Sequence, residues 1–362
     1  MFFNNKGWQK IKQEENETII ELEEPEERIK SAGILTKKDQ LIIYGGLSLG
    51  SIYEDLWVMD LRQGKWEKKE AKGEKPEYLF GHSCTQYGNK MILFGGMNRD
   101  CSNQIFELDL ENFEWKKLEN CPYEGRHSHT ACLEEETSEI WFFGGYLGGA
   151  KRTNEMISYN IKRNQWEKYK MYGDIPSVRS SCSAIIWKDL IVVFGGFEQA
   201  NGYYNNLYFF ETKTLTWTEI IKPNAPSPRD RCSCWIDYSQ NKMMVFGGMV
   251  DDKHFCDLHS FDLDFLIWDD LTPNNQIKEL SRNDLKKSEY QNFVKNREYK
   301  WPPPSGGHVV CSSLETHYIV LFSGSKQTIN RKYINSIYVF QSLPDITQDL
   351  LKFSQETILR DI

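Results

Sequence analysis

Much that would send this sequence to a familiar class is missing. No apolar run approaches the ~20 residues that a membrane-crossing helix needs. Positive charge is in deficit, with 44 Lys and Arg against 52 Asp and Glu and a formal net charge of −8. A chain so balanced offers no basic field for DNA or RNA. The opening Met1-Phe2-Phe3-Asn4-Asn5-Lys6 lacks the apolar core of a secretory leader, so the expected location is cytoplasmic. Nine cysteines, an odd number without disulfide-like spacing, agree with a reducing compartment. The closest pair, Cys232-Ser233-Cys234, has no second Cys or His pair near it in sequence, which argues against zinc.

Nucleotide and hydrolase signatures are absent too. Gly144 to Lys151 lacks the Gly-Lys step of a phosphate-binding loop. Gly46-Leu47-Ser48-Leu49-Gly50 has the spacing of a nucleophile elbow, yet Ile52 to Met59 reads as a strand where that motif needs a helix.

What is present is a repeat. Leu41-Ile42-Ile43-Tyr44-Gly45-Gly46 returns as apolar runs ending in Gly95-Gly96, Gly144-Gly145, Gly195-Gly196 and Gly247-Gly248, and in a decayed Ser323-Gly324. The first positions lie 50, 49, 51, 52 and then 76 residues apart. A period near 50 makes one repeat domain the better expectation than two or three ordinary ones. Hydrophobic content of 40% and aromatics at 14% suffice for its core.

Each unit carries further columns. Thirteen to fifteen residues before the doublet stand Ser31, His82, His129, Cys182, Cys232 and His308. Three residues ahead of these are Arg28, Leu79, Arg126, Arg179, Arg229 and Ser305. A third apolar run follows the doublet, and then a tryptophan six residues past a polar turn: Trp66, Trp115, Trp166, Trp217 and Trp268. Four β-prone segments per unit predict a four-stranded antiparallel sheet, and radial stacking of such sheets buries their faces. The sixth unit has Thr347 where its tryptophan should be. Gly7-Trp8-Gln9-Lys10-Ile11 matches the other outer strands, so Trp8 is expected to close the ring.

These doublets, the Arg-x-x-His starts and the spaced tryptophans resemble Kelch repeats over roughly residues 5 to 341. The expected fold is an all-β, six-bladed propeller over 1–343, closed by the N-terminal outer strand. A helical insertion at 273–301 separates blades 5 and 6, and a C-terminal helical tail occupies 344–362. The insertion is locally basic, with seven Lys/Arg against four Asp/Glu.

The resemblance implies ligand binding at the end that collects the loops after each doublet. Arginine forks suit carboxylates, so Arg28, Arg126, Arg179, Arg229 and Arg231 are the residues expected to hold an acidic or C-terminal peptide segment of a partner. A competing reading pairs each repeated arginine with an acid or carbonyl of its neighbour, as scaffold. His82, His129 and His308, with Cys182 and Cys232, ring a channel and do not converge, so no metal and no cofactor is expected. The functional expectation is a non-catalytic protein-interaction scaffold or adaptor in a cytoskeletal or ciliary assembly, using the loop face, the insertion and the tail, with no membrane insertion. The alternatives are a substrate receptor of a ubiquitin ligase and a sugar epimerase or mutarotase-like enzyme.

Overall fold

The computed structural model describes residues 9–10, 24–48, 50–272, 279–280, 305–312, 318–322, 325–326 and 337–341. Among these the regular structure is entirely β. Five antiparallel blades follow one another along the chain. The first is Ala32–Leu35, Gln40–Ser48, Ser51–Asp60 and Lys65–Lys69, and the second Ser83–Tyr87, Lys90–Phe94, Ile105–Asp109 and Glu114–Lys117. Thr130–Glu134, Glu139–Phe143, Met156–Asn160 and Gln165–Lys168 make the third. Ser183–Trp187, Leu190–Phe194, Leu207–Glu211 and Thr216–Ile220 make the fourth, and Ser233–Asp237, Lys242–Phe246, Leu258–Asp262 and Ile267–Asp270 the fifth.

A composite sheet uses both ends of the chain. Val309–Ser312, Tyr318–Phe322 and Ile337–Gln341 pair in order, and Gln9–Lys10 joins outside them through Gln9 to Val339 and Lys10 to Tyr338. Five blades are therefore contiguous, and the expected sixth rests on this shared sheet. Trp8 lies just outside the described residues. So do the expected tail helix at 344–362 and most of the 273–301 insertion; the described part of the insertion, Glu279–Leu280, is extended and pairs with Phe255 and His254.

The apolar faces meet between blades. Tyr44 and Leu56 pack with Met91, Leu93 and Trp115 of the next blade, and Ile43 and Trp57 with Val320 and Phe322 on the other side. Each described outer tryptophan reaches the aromatic that precedes the doublet of the previous blade. Ring centroids are 5.3 Å apart for Trp115 and Tyr44, 4.9 Å for Trp166 and Phe94, 4.9 Å for Trp217 and Phe143, 5.4 Å for Trp268 and Phe194, and 5.2 Å for Trp66 and Phe322.

Two departures from the repeat pattern concern the edges. Lys72–Gly73 and Tyr172–Gly173, in the links between blades, add a fifth strand parallel to the outer strand of the following blade. The loops after several doublets are themselves hairpins, such as Tyr146–Gly148 with Lys151–Arg152 and Met249–Val250 with Lys253–Phe255.

Candidate functional site: the channel mouth

The inner strands start at one end of the channel, and the residue just before each column of small or imidazole side chains has a left-handed backbone. These are Lys30, Gly81, Ser128, Ser181, Arg231 and Gly307. Their amides close a circle. Gly81 donates to the Lys30 carbonyl, Ser128 to Gly81, Ser181 to Ser128, Arg231 to Ser181, Gly307 to Arg231 and Lys30 to Gly307, at 2.6 to 3.2 Å. Each N–H is thus satisfied across a blade boundary.

The doublet makes a second circuit. The amide of its second glycine donates to the next blade: Gly46 to the Leu79 carbonyl, Gly96 to Arg126, Gly145 to Arg179 and Gly196 to Arg229, at 2.8 to 2.9 Å. At Gly95, φ is +68° and an added Cβ would stand 2.5 Å from the Arg126 carbonyl oxygen, so only glycine fits.

The four repeated arginines complete this circuit from within. Arg28, Arg126, Arg179 and Arg229 are fully buried, at 0% exposure. Each donates through Nη1 to the carbonyl of its own doublet's first glycine, Gly45, Gly144, Gly195 and Gly247. Arg28 forks onto Asp55, Arg126 reaches Glu155 at 3.1 Å, and Arg229 forks onto Asp257 at 2.6 and 2.8 Å. Arg179 has Asn206 where the others have an acid. Its guanidinium lies over Tyr204 at 4.2 Å and bonds to Ser177. Burial would raise the Asp257 carboxyl, but the Arg229 fork, with His259, holds it down at about 2.

Four of the five expected ligand arginines are thus engaged inside the blades, as the scaffold reading has it. Arg231 alone of that set stands at the mouth with a partly exposed side chain. There it meets Lys30, which occupies the equivalent position in the first blade, and Arg152 from the Tyr146–Arg152 hairpin, which donates to Ser180 at 3.1 Å. One acid sits among them: Asp230, 4% exposed, with Oδ2 3.3 Å from Arg231 Nε. Burial pushes the Asp230 carboxyl up, against the pull of Arg231, Lys30 and Arg152. Burial, then Arg231, pushes the Lys30 amine down to about 8, with Asp230 acting the other way. His127, beside Ser128 at 2.8 Å, is held at about 3 by burial and by the same three cations. Lys30 and Arg152 were missed in the sequence. The signal for Lys30 was its place one residue before Ser31, in register with Arg231; Arg152 lies on an irregular hairpin with no counterpart column.

Below the mouth a cavity of about 130 Å³ is lined by the left-handed residues and by His82, His129, Cys182, Cys232 and His308. The histidines wedge between blades: the His82 ring stands 5.9 Å from Tyr44 and the His129 ring 5.2 Å from Phe94. Burial holds His82 near 4 and His308 near 3, as neutral rings. Among the described residues no three His, Cys, Asp or Glu side chains are placed to hold a metal ion. Ser48 ends one strand and faces another at Ser51, with no helix following, so the elbow geometry is not built. At the opposite end a groove of about 620 Å³ beside Trp66 and Phe113 carries mixed charges, including Lys65, Lys69, Asp60 and Glu111.

The comparisons with known proteins agree with this architecture. A family model described as the KLHDC2/KLHL20/DRC7 Kelch-repeats domain matches residues 3–123 and 81–284. The leucine-zipper-like transcriptional regulator 1 homolog of Drosophila melanogaster is 26% identical over 350 residues, covering 91% of this chain and 33% of the relative. Its human counterpart, leucine-zipper-like transcriptional regulator 1, is 28% identical over 260 residues, covering 67% and 30%. The dynein alpha chain of the flagellar outer arm of Chlamydomonas reinhardtii is 26% identical over 226 residues, covering 57% and 5%. The chain thus spans about a third of the length of the first two relatives.

Proposed function

The chain belongs to the KLHDC2/KLHL20/DRC7 Kelch-repeats domain family, and from that premise we propose that it is a non-catalytic protein-interaction scaffold whose channel mouth holds an acidic segment of a partner. The observation that carries this reading is the gathering of Lys30, Arg152 and Arg231 around one buried acid, Asp230. Around Asp230, among the described residues, Lys30, Arg152 and Arg231 give a local surplus of positive charge on a chain of net charge −8, and a carboxylate arriving there meets oriented donors. The aromatic walls Phe80, Tyr146 and Phe197, against which Lys30 and Arg152 lie, give the segment an apolar surface beside its charge.

The working unit in this proposal is a six-blade ring over 1–343. Its support is the closed circle of six amides and the pairing of Gln9 and Lys10 with the last sheet. The 273–301 insertion and a helical tail at 344–362 serve as further partner surfaces, and the setting is a cytoplasmic cytoskeletal or ciliary assembly. The name of one relative, a flagellar dynein chain, is what motivates that part of the proposal. Fluorescence anisotropy with a labelled oligoglutamate peptide at rising salt tests the site. Affinity should fall steeply with ionic strength, and an oligoglutamine peptide should not bind. Equal binding of both peptides would overturn the proposal.

A further inference from the structure

The mouth holds a carboxylate whose own hydrogen bonding is incomplete. Asp230 is 4% exposed, and its backbone is fixed by the pair of hydrogen bonds it exchanges with Met249, at 3.0 and 2.9 Å. One carboxylate oxygen, Oδ2, stands 3.3 Å from Arg231 Nε. The other, Oδ1, is buried and accepts no hydrogen bond from another described residue. A buried acceptor in that state destabilises the site until a donor reaches it.

The cations are short of acids in their turn. Among the described residues no carboxylate pairs with the Lys30 amine, which stands 5.5 Å from the Phe80 ring centre. Arg152 donates to Ser180 and lies against the Tyr146 and Phe197 rings, again with no described acid at ion-pair distance. Arg231 donates from Nη1 to the Met249 sulfur at 3.2 Å. On the wall of the cavity of about 130 Å³ below, the Ser31 hydroxyl is buried and without a partner among the described residues.

The complement of this set is a group that brings several anionic oxygens together with a proton of its own. The cations and the hydroxyl meet the oxygens, and the orphan oxygen of Asp230 meets the proton. A glutamate side chain titrates near ~4.3 and has lost its proton at neutral pH. A sulfate ester has none to give. A phosphate monoester, whose second proton leaves near pH ~6, still has one to share. Two acids held close share a single proton more readily than they both ionise.

We propose that the channel mouth selects a phosphate monoester, with Lys30, Arg152 and Arg231 on its anionic oxygens and the Asp230 carboxylate accepting its remaining P–O–H. This selection rests on the mouth being an anion site, as proposed above, and narrows the acidic residue of the partner segment to a phosphorylated one. An acceptor that the right ligand satisfies discriminates strongly, because the analogue without the donor leaves it desolvated and unpaired. The sulfate ester would also set its full charge against the carboxylate.

Anisotropy at pH 7 with three labelled peptides of one sequence, carrying phosphoserine, its sulfate ester or glutamate at the central position, tests the selection. The phosphoserine peptide should bind ~10-fold or more tighter than the other two. Asp230→Asn offers an N–H where the acceptor stood, so it should bring the sulfate ester within ~3-fold of the phosphate. Lys30→Met should weaken all three peptides and keep their order. Displacement by inorganic phosphate and not by inorganic sulfate supports the same chemistry, and a phosphoserine peptide that binds tighter than inorganic phosphate assigns the group to a partner segment and not to the free ion. Equal binding of the phosphate and sulfate forms by wild type, or a preference that survives in folded Asp230→Asn, would overturn the selection. Glutamate binding as tightly as phosphoserine would overturn it and leave the acidic-segment reading standing; failure of all three peptides to bind would overturn both.

Discussion

At the scale of single residues, the repeated arginine shows why a conserved-looking column is ambiguous in sequence. Arg28, Arg126 and Arg229 find their acids 27, 29 and 28 residues downstream, in Asp55, Glu155 and Asp257. Those acids vary independently, to Gln104 and Asn206 in the other blades, so no spacing rule announces the pairs. Truncating Arg229 to Met leaves Asp257 buried with His259 but without its guanidinium fork, which should cost about 3 to 5 kcal/mol in a denaturant titration. Lys30→Met removes an amine whose charge burial and Arg231 already oppose, so it should cost under ~1 kcal/mol in the same experiment. The buried histidines set a pH dependence. Their folded pKa values, near 4 for His82 and near 3 for His308 and His127, lie below the ~6.5 of an unfolded chain. The unfolded state therefore binds protons first, and stability present above pH ~6.5 is lost as the pH falls toward 4. His82→Gln should flatten that slope by on the order of 1 to 3 kcal/mol between pH 7 and 4.

Elements were more legible than single contacts. The doublets and tryptophans marked the second and fourth strands correctly because both positions answer to geometry that tolerates few residues. The fifth strands were not legible: Lys72–Gly73 and Tyr172–Gly173 have no alternation to detect, and only a glycine lets the chain pass so close to the outer strand. An added Cβ at Gly73 would stand 2.1 Å from the Trp115 carbonyl oxygen, with φ at +78°. Gly73→Ala should cost about 1 to 3 kcal/mol through that collision. The tryptophan rule makes a sharper prediction. Every described outer tryptophan packs on the aromatic before the preceding doublet, and in the fifth blade that aromatic is Phe246. Trp8 should be its partner, so Trp8→Ala should lower stability by about 3 to 5 kcal/mol. The double variant with Phe246→Ala should be less destabilised than the sum of the singles, by 0.5 kcal/mol or more on the scale typical of contacting pairs.

At the scale of the whole molecule, the circle of amides explains how the ends of the chain and its middle make one body. The six left-handed residues are chemically unlike one another, and what they share is a backbone conformation that sequence does not print. The same circle carries the functional division. It holds arginines of one column inside the blades and offers Lys30 and Arg231, two positions further along, to the mouth, so under the proposed function residues two positions apart differ in role. The measurement that tests this division most directly compares oligoglutamate affinity, by anisotropy, for wild type and a Lys30→Glu/Arg231→Glu double variant whose thermal midpoint is unchanged. The account predicts a loss of ~10-fold or more, because each reversal places a like charge against the ligand; unchanged affinity in the folded variant would contradict it.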